Sequence, residues 1–289
     1  MQTDPKPSTL YVVGTPIGNL EDMTFRGVRI LQTVDLIAAE DTRHTGRLLQ
    51  HFQIKTHLVS YHDHNRSSRL PELLEQLRYG KAIALVTDAG VPGISDPGYE
   101  LVKGCVEAGL SVVPIPGASA VITALSAAGL PTDRFVFEGF LPPKVHARRE
   151  HLEFLRTESR TLVFYASPHR LRETLQNFAE IFGSERQIVL ARELTKLYEE
   201  FWRGTIAQAI SHYSDREPQG EYTLVVAGNS PELPQFSEME LKAELQKLIS
   251  QGVSRSQASR QLAKTTSLNR RQLYQLALEM GGERGEMGE

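Results

Sequence analysis

Apolar residues dominate short runs at 10–13, 34–39, 82–86 and 111–115, and between these runs they recur at helical spacing. Strands buried on both faces of a parallel sheet read as continuous apolar runs, whereas half-exposed strands alternate. Helices are predicted over 24–33 and around Leu70, Leu73, Leu74 and Leu77, where i, i+3, i+4, i+7 spacing ends at Gly80. Another is predicted from Asp96 as N-cap with Pro97 in the first turn, burying Leu101, Val102, Cys105 and Val106 on one face. The small apolar residues of 118–128 predict a helix packed closely on a sheet. Strand and helix in alternation predict an α/β lobe over 10–117.

The pattern changes after Gly129-Leu130-Pro131. Strands near 135–140, 161–165, 187–191 and 221–227 alternate with helices near 146–156, 171–182 and 206–213, and 198–202 reads as an added strand before a turn at Gly204. These predict a second α/β lobe over 118–230, with room for a mixed sheet. Residues 228–235 hold two prolines and read as a linker; 236–281 read as a small all-helical domain, broken at Gly252 and near Ser267. Residues 1–9 are expected to be flexible.

Length and charge narrow the function. A chain of 289 residues with 40% hydrophobic content exceeds one ordinary domain, and no stretch approaches the roughly 18 apolar residues of a membrane span, so a cytoplasmic setting is expected. The lone Cys105, beside Val102 and Val106, reads as a buried thiol. A net charge of −3 gives no global attraction for nucleic acid, so any RNA contact must come from local patches. Two exist: Lys144, His146, Arg148 and Arg149, and then Arg255, Arg260, Lys264, Arg270 and Arg271 set against Glu279. Each taken alone also reads as a solvated helix face.

Ligands of open α/β sheets gather beyond the carboxyl ends of the strands. Here those ends run into Gly14-Thr15-Pro16-Ile17-Gly18-Asn19, Glu40-Asp41-Thr42-Arg43-His44, Tyr61-His62-Asp63-His64-Asn65, residues 88–98, and Pro116-Gly117-Ala118-Ser119. All five are rich in glycine or ionisable groups. The first is neither GxGxxG nor GxxxxGK[ST], and no GxSxG is present, so dinucleotide, nucleoside-triphosphate and acyl-transfer readings lose their main support.

The first loop, the Asp88 loop and Pro116-Gly117-Ala118-Ser119 resemble, in order and spacing, the cofactor loops of the tetrapyrrole methylase superfamily. The strings Thr15-Pro16-Ile17-Gly18-Asn19-Leu20, Ala39-Glu40-Asp41-Thr42-Arg43-His44-Thr45, Ser95-Asp96-Pro97-Gly98, Phe137-Glu138-Gly139-Phe140-Leu141-Pro142 and Ala191-Arg192-Glu193-Leu194-Thr195-Lys196 are similar to a branch that acts on small-subunit ribosomal RNA. The resemblance implies two α/β lobes with S-adenosylmethionine (S-adenosyl-L-methionine) in the cleft between them. It implies contacts from Ile17, Asp88, Ala89, Gly90, Gly93, Ser119 and Ala120, with Ala166 and Leu194 closing over the cofactor. It also implies 2′-O-methylation of a cytidine in the decoding region of 16S rRNA, the small ribosomal subunit as partner, and a homodimer. Pro16 and Asn19 depart from the tetrapyrrole pattern, where glycine and aspartate stand, which weakens a porphyrin-type substrate.

Methyl transfer to a ribose hydroxyl is an in-line displacement that a general base assists. Asp41, directly after a buried strand, is the expected base, with His62 second because imidazole titrates near neutrality. His62, Asp63 and His64 also permit a metal reading, but without cysteine partners or a third well-spaced histidine no metal is expected. Arg43 and His44 are expected to meet RNA, although Arg43 can equally pair with Glu40 or Asp41. In the tail, Ser254 caps one helix and Arg270-Arg271 begin another, as in a helix-turn-helix; Tyr274 stacks on a base or fills the small core. Two rivals stand: a methylase of tetrapyrrole precursors, and a non-catalytic RNA-binding assembly factor.

Overall fold

A computed structural model describes residues 5–229, 236–263, 265–266 and 268–282. It divides into two compact units, Met1–Asn229 and Ser230–Glu289. The expected linker beyond residue 229, Lys264 and the break near Ser267 fall outside the described residues.

The first unit opens on a parallel sheet of β1 (Thr9–Val13), β2 (Leu36–Ala39), β3 (Leu58–Ser60), β4 (Ala82–Val86) and β5 (Ser111–Ile115), in the order β3-β2-β4-β1-β5. Thr9, expected in a flexible start, is buried as the first residue of β1, and the Lys6 amide donates to the Tyr11 hydroxyl at 2.8 Å. Helices α1 (Phe25–Thr33) and α2 (Thr42–His51) cover one face, burying Ile30, Leu31 and Leu49. On the other face, α3 (Arg66–Arg78) and α4 (Tyr99–Glu107) bury Leu73, Leu77, Leu101 and Cys105. Burial pushes the Cys105 thiol up to about 11. Val106, expected on the buried face of α4, is exposed.

The second sheet comprises β6 (Phe135–Phe140), β7 (Thr161–Ala166), β8 (Gln187–Arg192), β9 (Glu200–Thr205) and β10 (Tyr222–Val226), in the order β6-β7-β10-β8-β9. Only β6 and β7 run parallel, so the sheet is mixed. β9 starts later than expected and runs straight through Gly204, which pairs with Ile188, and α8 follows at once with Thr205 as its N-cap, in place of the expected turn. α5 (Ala120–Ala128) lays Val121, Ala124, Leu125 and Ala128 on Val163, Val189 and Val225 of this sheet. Its other face is covered by α6 (Val145–Leu155), α7 (Pro168–Phe182) and α8 (Ile206–His212), which share a core around Phe164 and Phe178.

Arg148, expected on an RNA-facing patch, is 2% exposed. Its guanidinium donates to Asn177 Oδ1 at 2.7 Å, to Glu173, and to the carbonyls of Pro142 and Pro143 at 3.5 and 3.4 Å. It therefore ties the β6–α6 loop to α7 and cannot reach RNA. Arg148→Met should lower the urea-unfolding free energy of this unit by about 2–4 kcal/mol, because Asn177 and two carbonyls lose their donor. An unchanged denaturation midpoint would contradict this role.

The second unit packs α9 (Glu238–Ser250), α10 (Arg255–Leu262) and α11 (Arg270–Gly282) around Leu241, Leu245, Ala258, Leu262, Leu273 and Ala277. Ser237 opens α9 in a reciprocal capping box with Glu240, and the Ser254 hydroxyl caps α10 through the Gln257 amide. Gly252, at φ +85°, turns the chain between them.

Candidate functional site

The carboxyl ends of the first sheet are stitched together by backbone. The Thr15 amide donates to the Gly90 carbonyl at 2.9 Å, the Gly90 amide returns to Thr15 at 3.2 Å, and the Thr15 hydroxyl donates to the Thr87 carbonyl at 3.2 Å. Gly90 makes this bridge at φ +79°, a conformation that disfavours a side chain. The loop after β1 also meets the loop after β5, where Gly14 and Gly117 touch backbone to backbone: a Cβ on Gly117 would lie 2.6 Å from the Gly14 carbonyl oxygen. Three of the five predicted loops thus form one platform.

A cavity of about 500 Å³ opens beside it, with Thr15–Gly18, α2 and Thr87–Ala89 on one side and Lys196 and Glu221 of the second sheet's loops on the other. Of the expected cofactor residues, Ile17, Asp88 and Ala89 line this wall. Gly90 sits directly behind Ile17, and Ile17, Ala120 and Leu194 join the apolar cluster between α5 and the second sheet. Ala166 instead faces a smaller hollow with Phe140, Tyr165 and Arg170. The Gly93 amide is spent on the Pro97 carbonyl at 3.2 Å, and Ser119 is the N-cap position of α5. The hydroxyls of Thr45 and Thr87, residues only 2% exposed that line the cavity, have no hydrogen-bond partner. Such buried orphans are rare in folded proteins and mark places where a ligand or water completes the bonding.

Three carboxylates gather at the same edge. The Glu40 carboxylate accepts from the Asp88 amide at 3.3 Å, and Asp88 Oδ1 accepts from the Asp41 amide at 3.2 Å, so the loops after β2 and β4 hold each other. Asp96, in the same loop as Asp88, feels both charges: burial first, then Glu40 and Asp88, push its carboxyl up to about 7. Burial, opposed by the Asp88 amide and reinforced by the Asp88 charge, also raises Glu40. Ser95, beside Asp96, is held at φ +62°, and Gly139 in the bulge of β6 leaves room for its hydroxyl. Tyr165 of β7 lies within the field of Asp96, and its phenol rises to about 12, chiefly through burial. Asp96 therefore stands between the acids of one lobe and the aromatic wall of the other. The sequence reading gave it only a capping role, yet α4 starts at Tyr99 after Gly98.

Asp41, the expected base, is unsuited to that task. One oxygen caps α2 by accepting from the Arg43 amide at 2.8 Å, and Arg43 grips the carboxylate with Nε at 3.2 Å and Nη2 at 2.8 Å. The Arg43 contacts hold its carboxyl far below the usual range. A carboxylate so stabilised is a weak proton acceptor. Arg43 is correspondingly spent on Asp41, while His44 lines the cavity. His62 keeps a buried Nδ1 without a partner and packs edge-to-face on His64 at 5.9 Å. No three His, Cys, Asp or Glu are grouped to hold a metal among the described residues.

Of the expected RNA contacts, Lys144 is exposed at the start of α6. In the helical unit Arg255 and Arg271 are exposed, and Arg270 spends a donor on Ser256 Oγ at 2.9 Å, joining α10 to α11. Tyr274 is 40% exposed and is not part of that unit's buried core.

The sequence profile of Tetrapyrrole (Corrin/Porphyrin) Methylases matches residues 9–210. A protein of Synechocystis sp. named ribosomal RNA small subunit methyltransferase I is 60% identical over 94% of this chain and 98% of its own length. Proteins of the same name from Halalkalibacterium halodurans and Escherichia coli O157:H7 are 47% and 46% identical, over 95% and 96% of this chain and 96% and 98% of their own. The fold is shared with a crystal structure of uroporphyrin-III-C-methyltransferase from Thermus thermophilus, at 22% identity and a TM-score of 0.55, covering 76% of this chain and 94% of that one. With near full-length identity added to the shared fold, this chain belongs to the tetrapyrrole methylases and, within them, to the S-adenosylmethionine-dependent ribosomal RNA small subunit methyltransferase I family.

Proposed function

We propose that the chain methylates the ribose 2′-hydroxyl of a cytidine in the decoding region of 16S rRNA, within the small ribosomal subunit. The observation that carries this reading over a tetrapyrrole substrate is the helical unit of α9–α11, which lies beyond the matched residues 9–210 and exposes Arg255, Arg260 and Arg271. Basic helices of this kind bind phosphates without reading sequence. A homodimer in the cytoplasm is part of the same reading.

The cavity suits S-adenosylmethionine. Its walls offer apolar surface from Ile17, Leu20 and Leu48, the unpartnered hydroxyls of Thr45 and Thr87, and the carboxylate of Asp88, which no cation pairs among the described residues, to balance a positive ligand. Ile17 and the backbone of 88–90 would hold it from one lobe, Ala120 and Leu194 from the other. Bound there, S-adenosylmethionine supplies a methyl group activated on a sulfonium.

The protein's own work is to align the acceptor oxygen, exclude water and take its proton. For the last role we take Asp96, which lies in the same loop as the cavity-lining Asp88 and whose carboxyl, raised by burial and by the Glu40 and Asp88 charges, is basic enough to accept a proton. Asp41 orders the start of α2 and keeps Arg43 in place.

The test is incubation of labelled S-adenosylmethionine with small subunits lacking the modification. Label in RNA ribose supports the reading, label in a porphyrinogen supports a tetrapyrrole methylase, and label in neither supports a non-catalytic assembly factor. Residues 1–229, which carry their own core, should keep S-adenosylhomocysteine affinity and lose at least about tenfold in kcat/KM toward subunits, as the phosphate contacts are removed. Undiminished activity of that fragment would refute the role of the helical unit.

A further inference from the structure

Four positions of α2 face the cavity: His44, Thr45, Arg47 and Leu48. Every other charged group on the wall is already engaged. Lys196 Nζ lies 2.9 Å from both Glu193 and Glu221, and Asp88 accepts from the Asp41 amide. Arg43, the neighbouring cation, is bound to Asp41 and does not line the cavity. Arg47 is exposed and makes no ion pair or hydrogen bond among the described residues. Among the described residues the wall thus presents one uncommitted guanidinium or ammonium charge, on the same helix as the buried, unpartnered hydroxyl of Thr45. A sulfonium donor with its amino-acid tail is itself net positive, so a bare arginine beside it serves an anion brought by the second substrate.

We infer that Arg47, with His44 one turn before it on the same face of α2, binds a phosphodiester of the RNA next to the nucleotide that enters the cavity. The inference rests on the RNA reading above and gives it a point of contact in the catalytic unit. A guanidinium forks onto two phosphate oxygens, which fixes the backbone and so the depth to which the adjoining ribose reaches. Arg43, despite its place in the more conspicuous sequence string, is left to shape the helix start.

Arg47→Gln in the full chain is the test, with unmodified small subunits and labelled S-adenosylmethionine at a series of potassium chloride concentrations. KM for subunits should rise about tenfold at low salt, kcat should hold within about twofold, and the slope of log KM against log salt should become shallower by about 0.7–0.9, the signature of one lost phosphate contact. Arg47→Lys should restore the slope, because it keeps the charge. S-adenosylhomocysteine affinity, measured by calorimetry without RNA, should not change. An unchanged KM and slope overturns the inference. So does a fall in S-adenosylhomocysteine affinity, which would put Arg47 on the methyl donor's carboxylate. A wild-type protein that transfers no label to RNA removes the RNA reading itself and this inference with it.

Discussion

Asp96→Asn should reduce methyl transfer by about 10²–10⁴-fold, the usual worth of a positioned general base, while S-adenosylhomocysteine binds as tightly as before. The wild-type enzyme carries the sign of the effect in its pH profile. A proton acceptor works as the carboxylate, so kcat should fall about tenfold per pH unit below the Asp96 midpoint at about 7. In the Asn variant that limb disappears. Stability moves oppositely. The folded chain holds this proton more tightly than the unfolded chain, where an aspartate titrates in the ordinary carboxylate range, so the stabilisation is present at low pH and is lost as pH rises toward about 7. Asn cannot ionise among Glu40 and Asp88, so the variant should melt above the wild type at pH 8, by a margin that shrinks toward pH 5. Full activity in the variant would return the role of base to the remaining candidate, His62.

The contrast between Asp96 and Asp41 shows where sequence stops being informative. The parallel sheet was legible because β4, Ala82–Val86, is wholly buried and must read as an unbroken apolar run. Its carboxyl edge then located the loops. The ionisation of two aspartates in those loops was not legible, because Asp41 is lowered by its near neighbour Arg43 whereas Asp96 is raised by burial and by Glu40, far away in the chain. Helix α2 was also hidden: its string Thr-Arg-His-Thr-Gly is polar and contains Gly46, and only Thr45, Leu48 and Leu49 are buried. Arg148 could have been found. It shares i, i+4, i+7 spacing with Leu152 and Leu155, the buried face of α6, and a charge on that stripe must be paired inward. Tyr274 follows the same rule in reverse, adjoining Leu273 on a helix whose buried stripe continues at Ala277.

Gly117→Ala should be the most damaging single-methyl change in the cofactor platform. The new Cβ would meet the Gly14 carbonyl oxygen at 2.6 Å and Gly14 C and Cα at 2.7 Å, all backbone atoms that cannot rotate away. Relief requires the loop after β1 to part from the loop after β5, and the first of these also carries Ile17 and the Thr15–Gly90 bridge. Overpacking of this kind costs about 1–3 kcal/mol, and a displaced Ile17 should weaken S-adenosylhomocysteine at least about tenfold, or roughly 1.4 kcal/mol. Gly109→Ala separates the two consequences. That glycine has φ +67° with nothing within 4 Å of its missing Cβ, so the substitution strains the backbone without touching the site. It should lower the melting temperature and leave ligand affinity alone. Equal affinity losses in the two variants would mean that global destabilisation, rather than the Gly14–Gly117 contact, governs cofactor binding.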